Sequence, residues 1–390
     1  MEKYILFGAG NFGRKAVKEF GRENIDFFLD NDQSRENEFF EGVPVKIFSK
    51  CVNEVRDREI VITTLACTEI IKQLQQNGIL NYSIYSGLTE IKNYYNPQRL
   101  IDNPYGKEGL GRDWSEEEWI EMKMNDGETK KEIINGKVSR YMKQSHMFHH
   151  IEIETINRCN GVCSFCPINC RIDPREKKVM SEELFKKIID ELAEMDYSGR
   201  IALFSNNEPL LDKRILDFHR YARNKLPNAR MHLYTNGTLL TMESFTALLE
   251  VLDELIIDNY QQDLELIAPC KMIVDYYEQH PEIKEKVTIV LRKPDEILTS
   301  RGGDAPNRTQ VRVEEGISCV LPFQQMIIRP DGKVSLCCND PLGKCTLGDA
   351  SEEKLLDIWY GEKFGKVREC ISMGRENFSH CKNCDVFVLD

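Results

Sequence analysis

Cys159-Asn-Gly-Val-Cys163-Ser-Phe-Cys166 places three thiols within eight residues, directly after an apolar segment, His150–Thr155. That segment reads as a strand, so the thiols lie on the loop at its C-terminal end. Three thiolates on a loop containing Gly161 can hold three corners of an iron–sulfur cube, leaving the fourth iron open to an outside ligand. Cys170 follows at a suitable distance, so the same stretch can also be read as a closed zinc tetrahedron of Cys159, Cys163, Cys166 and Cys170. The choice between them is a choice between a catalytic centre and a structural one.

Working outward, strands and helices alternate. Arg200–Phe204, Met231–Tyr234, Glu254–Asp258 and Val287–Leu291 read as further strands. Helices are expected between them at Ser181–Met195, Asp212–Lys225, Met242–Leu252 and Leu264–Gln279. Repeated βα units over residues 146–308 imply a full or partial β/α barrel, a fold that keeps its chemistry at the C-terminal edge of the strands. Residues 1–95 also alternate, with strands near Tyr4–Phe7, Ile25–Leu29, Glu59–Thr64 and Tyr82–Tyr85, and imply a small doubly wound parallel sheet. There Gly8-x-Gly10-x-x-Gly13 separates a strand from a helix, and Asp30 ends the next strand. Tight turn, close backbone approach and helix N-terminus suit a nucleotide phosphate, although a docking domain without ligand fits the same pattern. Residues 96–145 read as a helical linker, with a capping box at Ser115–Glu118 opening a short helix through Met122. Residues 309–390 turn irregular and cysteine-rich around a hairpin, Gln324–Arg329 and Lys333–Cys337, joined at Pro330-Asp331-Gly332.

Composition bounds the function. The chain has 390 residues, too many for one ordinary core. Its net charge of −12 disfavours a backbone-tracking nucleic-acid binder or an anionic membrane partner. No apolar run reaches the roughly 20 residues that span a bilayer, and the N-terminus reads as a strand and not as a signal peptide, so a cytoplasmic protein is expected. Fourteen cysteines in such a chain point to metal or redox chemistry rather than disulfides.

The CxxxCxxC spacing, Phe165 before the third cysteine and the position after the first strand resemble the radical S-adenosylmethionine (SAM) superfamily. The resemblance implies a 4Fe–4S cluster on Cys159, Cys163 and Cys166 whose open iron chelates SAM. Electron transfer then cleaves SAM to a 5′-deoxyadenosyl radical, which abstracts a substrate hydrogen. It also implies a flavodoxin- or ferredoxin-type electron donor. Ser205-Asn206-Asn207-Glu208-Pro209 stands where the family has Gly-Gly-Glu-Pro, which gives Glu208 the SAM amino group; this chain has Asn for both glycines. Thr235-Asn236-Gly237 resembles a segment near the SAM ribose and carboxylate, and Arg292, from its placement, is a candidate partner for that carboxylate.

Cys319, Gly332 and Cys337, followed by Cys381-Lys-Asn-Cys384, resemble the opening of the SPASM extension of these enzymes. Only Asp385–Asp390 remain after it, so the region is similar to the shorter "twitch" version, with one auxiliary 4Fe–4S cluster on Cys319, Cys337, Cys381 and Cys384. Four thiolates saturate that cluster, leaving it electron transfer or a purely structural role. Cys51, Cys67, Cys170, Cys270, Cys338, Cys345 and Cys370 are left over, mostly as small core residues, although Cys338 or Cys345 could replace one auxiliary ligand. Asp340 is a candidate general base for a substrate proton, against the plainer reading of a solvated loop carboxylate. The N-terminal segment resembles Rossmann-like domains attached to sugar-modifying enzymes. The expected architecture is therefore α/β: a Rossmann-like domain, a partial barrel and a twitch/SPASM-like iron–sulfur domain. The expected function is radical oxidation, or other modification, of a small polar metabolite: a carbohydrate, cyclitol or nucleotide-sugar. A peptide maturase and a non-catalytic iron–sulfur electron carrier are the alternatives.

Overall fold

The computed structural model describes residues 3–56, 58–64, 67–85, 100–106, 113–143 and 146–389. The chain divides into two compact units, Met1–Asn96 and Pro97–Asp390.

The first unit is a doubly wound sheet. Its elements are β1 (Tyr4–Phe7), α1 (Asn11–Phe20), β2 (Ile25–Asp30), β3 (Phe39–Phe40), β4 (Val43–Ile47), α2 (Phe48–Val55), β5 (Ile60–Ile62), α3 (Cys67–Gln76) and β6 (Tyr82–Ile84). The strand order is β3-β4-β2-β1-β5-β6. All pairs are parallel except the β3–β4 hairpin. Alternation along the strands feeds two cores. Ile5, Phe7, Phe27 and Leu29 pack with Phe48, Val55 and Leu74 on one face, while Leu6, Phe28 and Val45 pack with Ala16 and Val17 on the other. A parallel sheet buried on both faces requires such continuously apolar strands. The β3–β4 hairpin and α2 had no counterpart in the sequence reading.

The second unit holds β7 (Ile101–Asp102), α4 (Glu116–Lys143), β8 (His150–Ile153), α5 (Glu182–Glu194), β9 (Arg200–Ala202), α6 (Ile215–Lys225), β10 (Arg230–Thr235), α7 (Met242–Val251), β11 (Glu254–Tyr260), α8 (Ala268–Tyr277) and β12 (Val287–Arg292). It continues with β13 (Gln325–Ile328), β14 (Lys333–Ser335), β15 (Thr346–Asp349), α9 (Leu355–Trp359) and α10 (Glu362–Ser372). One sheet runs β15-β14-β13-β8-β9-β10-β11-β12-β7. From β13 to β7 every pair is parallel, and β14 and β15 add an antiparallel edge. The two ends of the parallel run, β13 and β7, are not paired with each other, so the sheet forms a partial barrel. On β8, Ile151 and Ile153 face the helix side with Phe185, Ile188 and Leu192 of α5. His150 and Glu152 therefore face the opposite, inner side.

Two readings are corrected here. The helix expected to stop at Met122 runs 28 residues to Lys143, and its Ile134 and Val138 lie in the main core. Its capping box is as expected: Glu118 accepts from the Ser115 amide at 3.0 Å and the Glu118 amide donates to Ser115 Oγ at 3.2 Å. The stretch read as a linker thus supplies a helix and the edge strand β7 to the second unit; its residues 96–99, 107–112 and 144–145 lie outside the described set. Asp385 locks the arrangement. Fully buried, it accepts from Trp119 Nε1 at 2.8 Å, Arg308 Nη1 at 2.8 Å and the Ser300 amide at 2.7 Å.

Candidate functional site

The loop between β8 and α5 carries the first cysteine group. Cys163 is buried, Cys159 and Cys166 are half-buried and Cys170 is exposed. Burial, and then nearby acidic groups, pushes both Cys159 and Cys163 up to about 12. Cys159 feels Glu208, Cys166 and Cys170; Cys163 feels Cys166, Cys159 and Asp258. The Gly161 amide donates to Cys159 Sγ at 3.2 Å, and a Cβ on Gly161 would lie 3.2 Å from that sulfur. The loop therefore keeps a glycine where any side chain would crowd the thiols. It is braced by Asn169 Nδ2 on the Cys163 carbonyl (3.1 Å) and by the Cys170 amide on the Gly161 carbonyl (2.9 Å). Convergent soft thiols beneath a bare backbone suit an iron–sulfur cluster.

Three loops meet at this edge of the sheet. Glu208 is buried; its Oε1 accepts from Thr235 Oγ1 at 2.7 Å and the Leu210 amide at 3.1 Å, and its Oε2 accepts from the Asn236 amide at 2.7 Å. Burial raises its pKa, and these donors oppose the rise. The carboxylate expected to meet a SAM amino group thus also holds the Thr235-Asn236-Gly237 turn. Asn236 in turn donates to Asn160 Oδ1 at 2.8 Å, and Asn160 donates to Thr238 Oγ1 at 2.9 Å, tying that turn to the cysteine loop. Arg292 does end its strand at this edge, but its guanidinium lies 3.5 Å from Asp258 and 3.4 Å from Glu296. A ligand carboxylate would therefore share it with two acids. Arg175 is a hub that sequence reasoning missed. It pairs with Glu154 at 3.3 Å and Asp173 at 3.0 Å, and donates to the carbonyls of Asn157, Asn206 and Pro341. These partners lie between 2 and 166 residues away in the chain, so no local pattern signals them.

The second group, Cys319, Cys337, Cys381 and Cys384, is buried throughout. Burial lifts Cys337 far above an ordinary thiol, and Cys338, Cys319, Cys381 and Cys384 add to it, so the four expected ligands converge. Arg375, also buried, donates to the carbonyls of Cys384 (2.9 Å), Val386 (2.8 Å) and Ser318 (2.8 Å). It stitches two cysteine segments together and places a positive charge beside the expected ligands. Asp340 is not the solvated loop carboxylate of the plainer reading. It is 1% exposed, and its oxygens accept from the amides of Lys344 (2.8 Å) and Cys345 (3.0 Å), so it closes a turn rather than sitting solvated.

In the first unit, Gly8 has φ +115° and its amide donates to the Leu29 carbonyl at 2.8 Å. A Cβ on Gly13 would lie 2.5 Å from the Gly8 carbonyl and 2.7 Å from Phe28, so the helix can approach the strand only through glycine. Gly10 precedes α1 without a side-chain cap. Asp30 accepts from the Ala9 amide at 3.2 Å and pairs with Arg35 at 3.3 Å.

An open half-barrel with a three-thiol loop at its C-terminal edge and a four-thiol domain on its sheet defines an iron–sulfur enzyme of the radical type. The chain belongs to the radical SAM superfamily. Residues 153–269 match the radical SAM superfamily model, and residues 319–385 match an iron–sulfur cluster-binding domain, SPASM. The S-adenosyl-L-methionine-dependent 2-deoxy-scyllo-inosamine dehydrogenase of Niallia circulans is 32% identical over 240 residues, covering 61% of this chain and 93% of that protein. The crystal structure of BtrN in complex with AdoMet and 2-DOIA superposes with a TM-score of 0.54 at 29% identity, over 62% of this chain and 95% of that one. BtrN in an open conformation gives a TM-score of 0.47 at 26% identity, over 62% and 94%. The chain is thus a radical SAM enzyme of oxidoreductase type that uses SAM and two 4Fe–4S clusters on a small-molecule substrate. Among the described residues no helix is long and apolar enough to cross a membrane.

Proposed function

We propose that this enzyme is a dehydrogenase that oxidises a hydroxyl of a cyclitol or closely related carbohydrate to a ketone. The observation that carries the reading is the match to an inosamine dehydrogenase across 93% of that protein's length. In this reading Cys159, Cys163 and Cys166 hold the SAM-binding cluster, and Cys319, Cys337, Cys381 and Cys384 hold the auxiliary one. The first supplies the electron that cleaves SAM, and the second accepts the electron left on the substrate.

The chain's own residues then have distinct tasks. Glu208 fixes the turn bearing Asn236, which borders SAM together with Arg292. Asn160 keeps that turn at a set distance from the cysteine loop. Arg375 sets the spacing of the auxiliary thiols. A flavodoxin- or ferredoxin-type protein supplies the reducing electron, in the cytoplasm, where clustered thiols stay reduced. In the first unit, the turn at Gly8, Gly10 and Gly13, with Asp30, is the corresponding proposal for a nucleotide site; the uncapped start of α1 supports it.

The test is anaerobic incubation of the reconstituted enzyme with SAM, dithionite and 2-deoxy-scyllo-inosamine. The expected product is two hydrogens lighter, formed in step with 5′-deoxyadenosine. Formation of 5′-deoxyadenosine with the cyclitol recovered unchanged would refute the substrate assignment.

A further inference from the structure

The inner face of the half-barrel is unusually polar. His150 Nε2, His232 Nδ1, Asn207 Nδ2 and Arg301 Nε are all buried there or beside it, and none of these atoms makes a hydrogen bond. Buried polar atoms are expensive to leave unpaired, so this face is built to receive a polar guest. Glu152 lies among them on β8, 6% exposed. Facing it are Ser205 from the loop after β9, Arg200 from β9, Arg301 from the segment before the cysteine-rich domain, and Cys338. On its own strand, His150 Nε2 is 3.9 Å from Glu152 Oε1, and the His232 ring lies tilted against that of His150 at 5.2 Å between centroids. Arg301 also donates to Asn206, in the loop that borders the SAM region.

Glu152 thus bonds to Ser205, which opens the loop running to Glu208, and its charge is felt at Cys338, next in the chain to the ligand candidate Cys337. Resting on the cyclitol-oxidation reading, we propose that Glu152 accepts the proton of the hydroxyl being oxidised.

The step balances as follows. The 5′-deoxyadenosyl radical takes a hydrogen atom from the carbinol carbon, leaving a carbon radical. The hydroxyl proton passes to the Glu152 carboxylate, the C=O bond forms, and the remaining electron leaves to the oxidised auxiliary cluster. Burial is the main cause that raises the Glu152 carboxyl to about 7; Ser205, Arg301 and Arg200 oppose it. The base must be ionised to work, so ketone formation falls as pH drops through that range.

The experiment uses holoenzyme, SAM, dithionite and 2-deoxy-scyllo-inosamine deuterated at the reacting carbon, with wild type, E152Q and E152D. In wild type, ketone and 5′-deoxyadenosine form in equal amounts. In E152Q the ketone per 5′-deoxyadenosine falls about a hundredfold, and deuterium returns to recovered SAM because the substrate radical is not drained. E152D restores part of the coupling and moves the acid limb of the pH profile. A fully coupled E152Q overturns the assignment. Should E152Q fail to retain its clusters, an E152D enzyme with an unmoved acid limb overturns it equally. If wild type transfers no deuterium, the substrate reading fails and this assignment falls with it. Deuterium transfer in wild type with normal coupling in E152Q refutes Glu152 alone.

Discussion

Gly161 and Arg375 show how much of each cluster site rests on residues that are not ligands. A methyl group at Gly161 would stand 3.2 Å from Cys159 Sγ. G161A is expected to lose most of the SAM-binding cluster while keeping the auxiliary one, which iron and sulfide analysis with electron paramagnetic resonance resolves. Arg375 satisfies three buried carbonyls. R375M leaves them unpaired and should destabilise the fold by about 4 kcal/mol. R375K should recover little, because an ammonium cannot span the fork; thermal unfolding and auxiliary-cluster content check both. Loading must also release protons, since Cys159 and Cys163 sit at about 12 without metal. Reconstitution of the apo chain is therefore expected to slow several-fold between about pH 8.5 and 6.5, read from the growth of the cluster absorbance. At this scale the two groups of cysteines were legible because each contains closely spaced members. Arg375, Arg175 and Asn160 were not, because topology brings some of their partners to them from as far as 166 residues away.

Helix α4 is the element that differs most from its sequence. Expected to stop at Met122, the helix instead passes through both Gly127 and Gly136. Gly127 has a packing reason: a Cβ there would meet Phe387 at 3.0 Å, so the ring of the C-terminal segment lies directly on the helix. G127L should therefore cost about 2 kcal/mol through overpacking, despite leucine's better helix propensity, and lower the unfolding midpoint accordingly. The β3–β4 hairpin escaped notice for a related reason. Pro44 argues against a strand, but its partner is the two-residue edge strand Phe39–Phe40, where a missing amide is tolerated. The barrel strands were legible because apolar residues alternate with polar ones toward the interior. That the interior is polar enough to be a substrate site became visible only when β8, β9, β10 and β13 were seen side by side.

Over the whole molecule, one sheet unites the two sets of cysteines. β13 pairs in parallel with β8, so the hairpin leading to Cys337 begins beside the strand that ends in the Cys159 loop. Substrate radical formation and electron removal can then take place on one scaffold, as a two-electron oxidation needs. The acidic surplus of the chain, −12, explains none of this and only disfavours a backbone-tracking nucleic-acid partner. The central claim is that an open cluster on Cys159, Cys163 and Cys166 generates a radical that takes hydrogen from a cyclitol carbinol carbon. It is tested most directly by mass analysis of 5′-deoxyadenosine formed with 2-deoxy-scyllo-inosamine deuterated at that carbon. Deuterium in the 5′-deoxyadenosine, in step with ketone formation, is the predicted result; unlabelled 5′-deoxyadenosine beside unchanged cyclitol would contradict it.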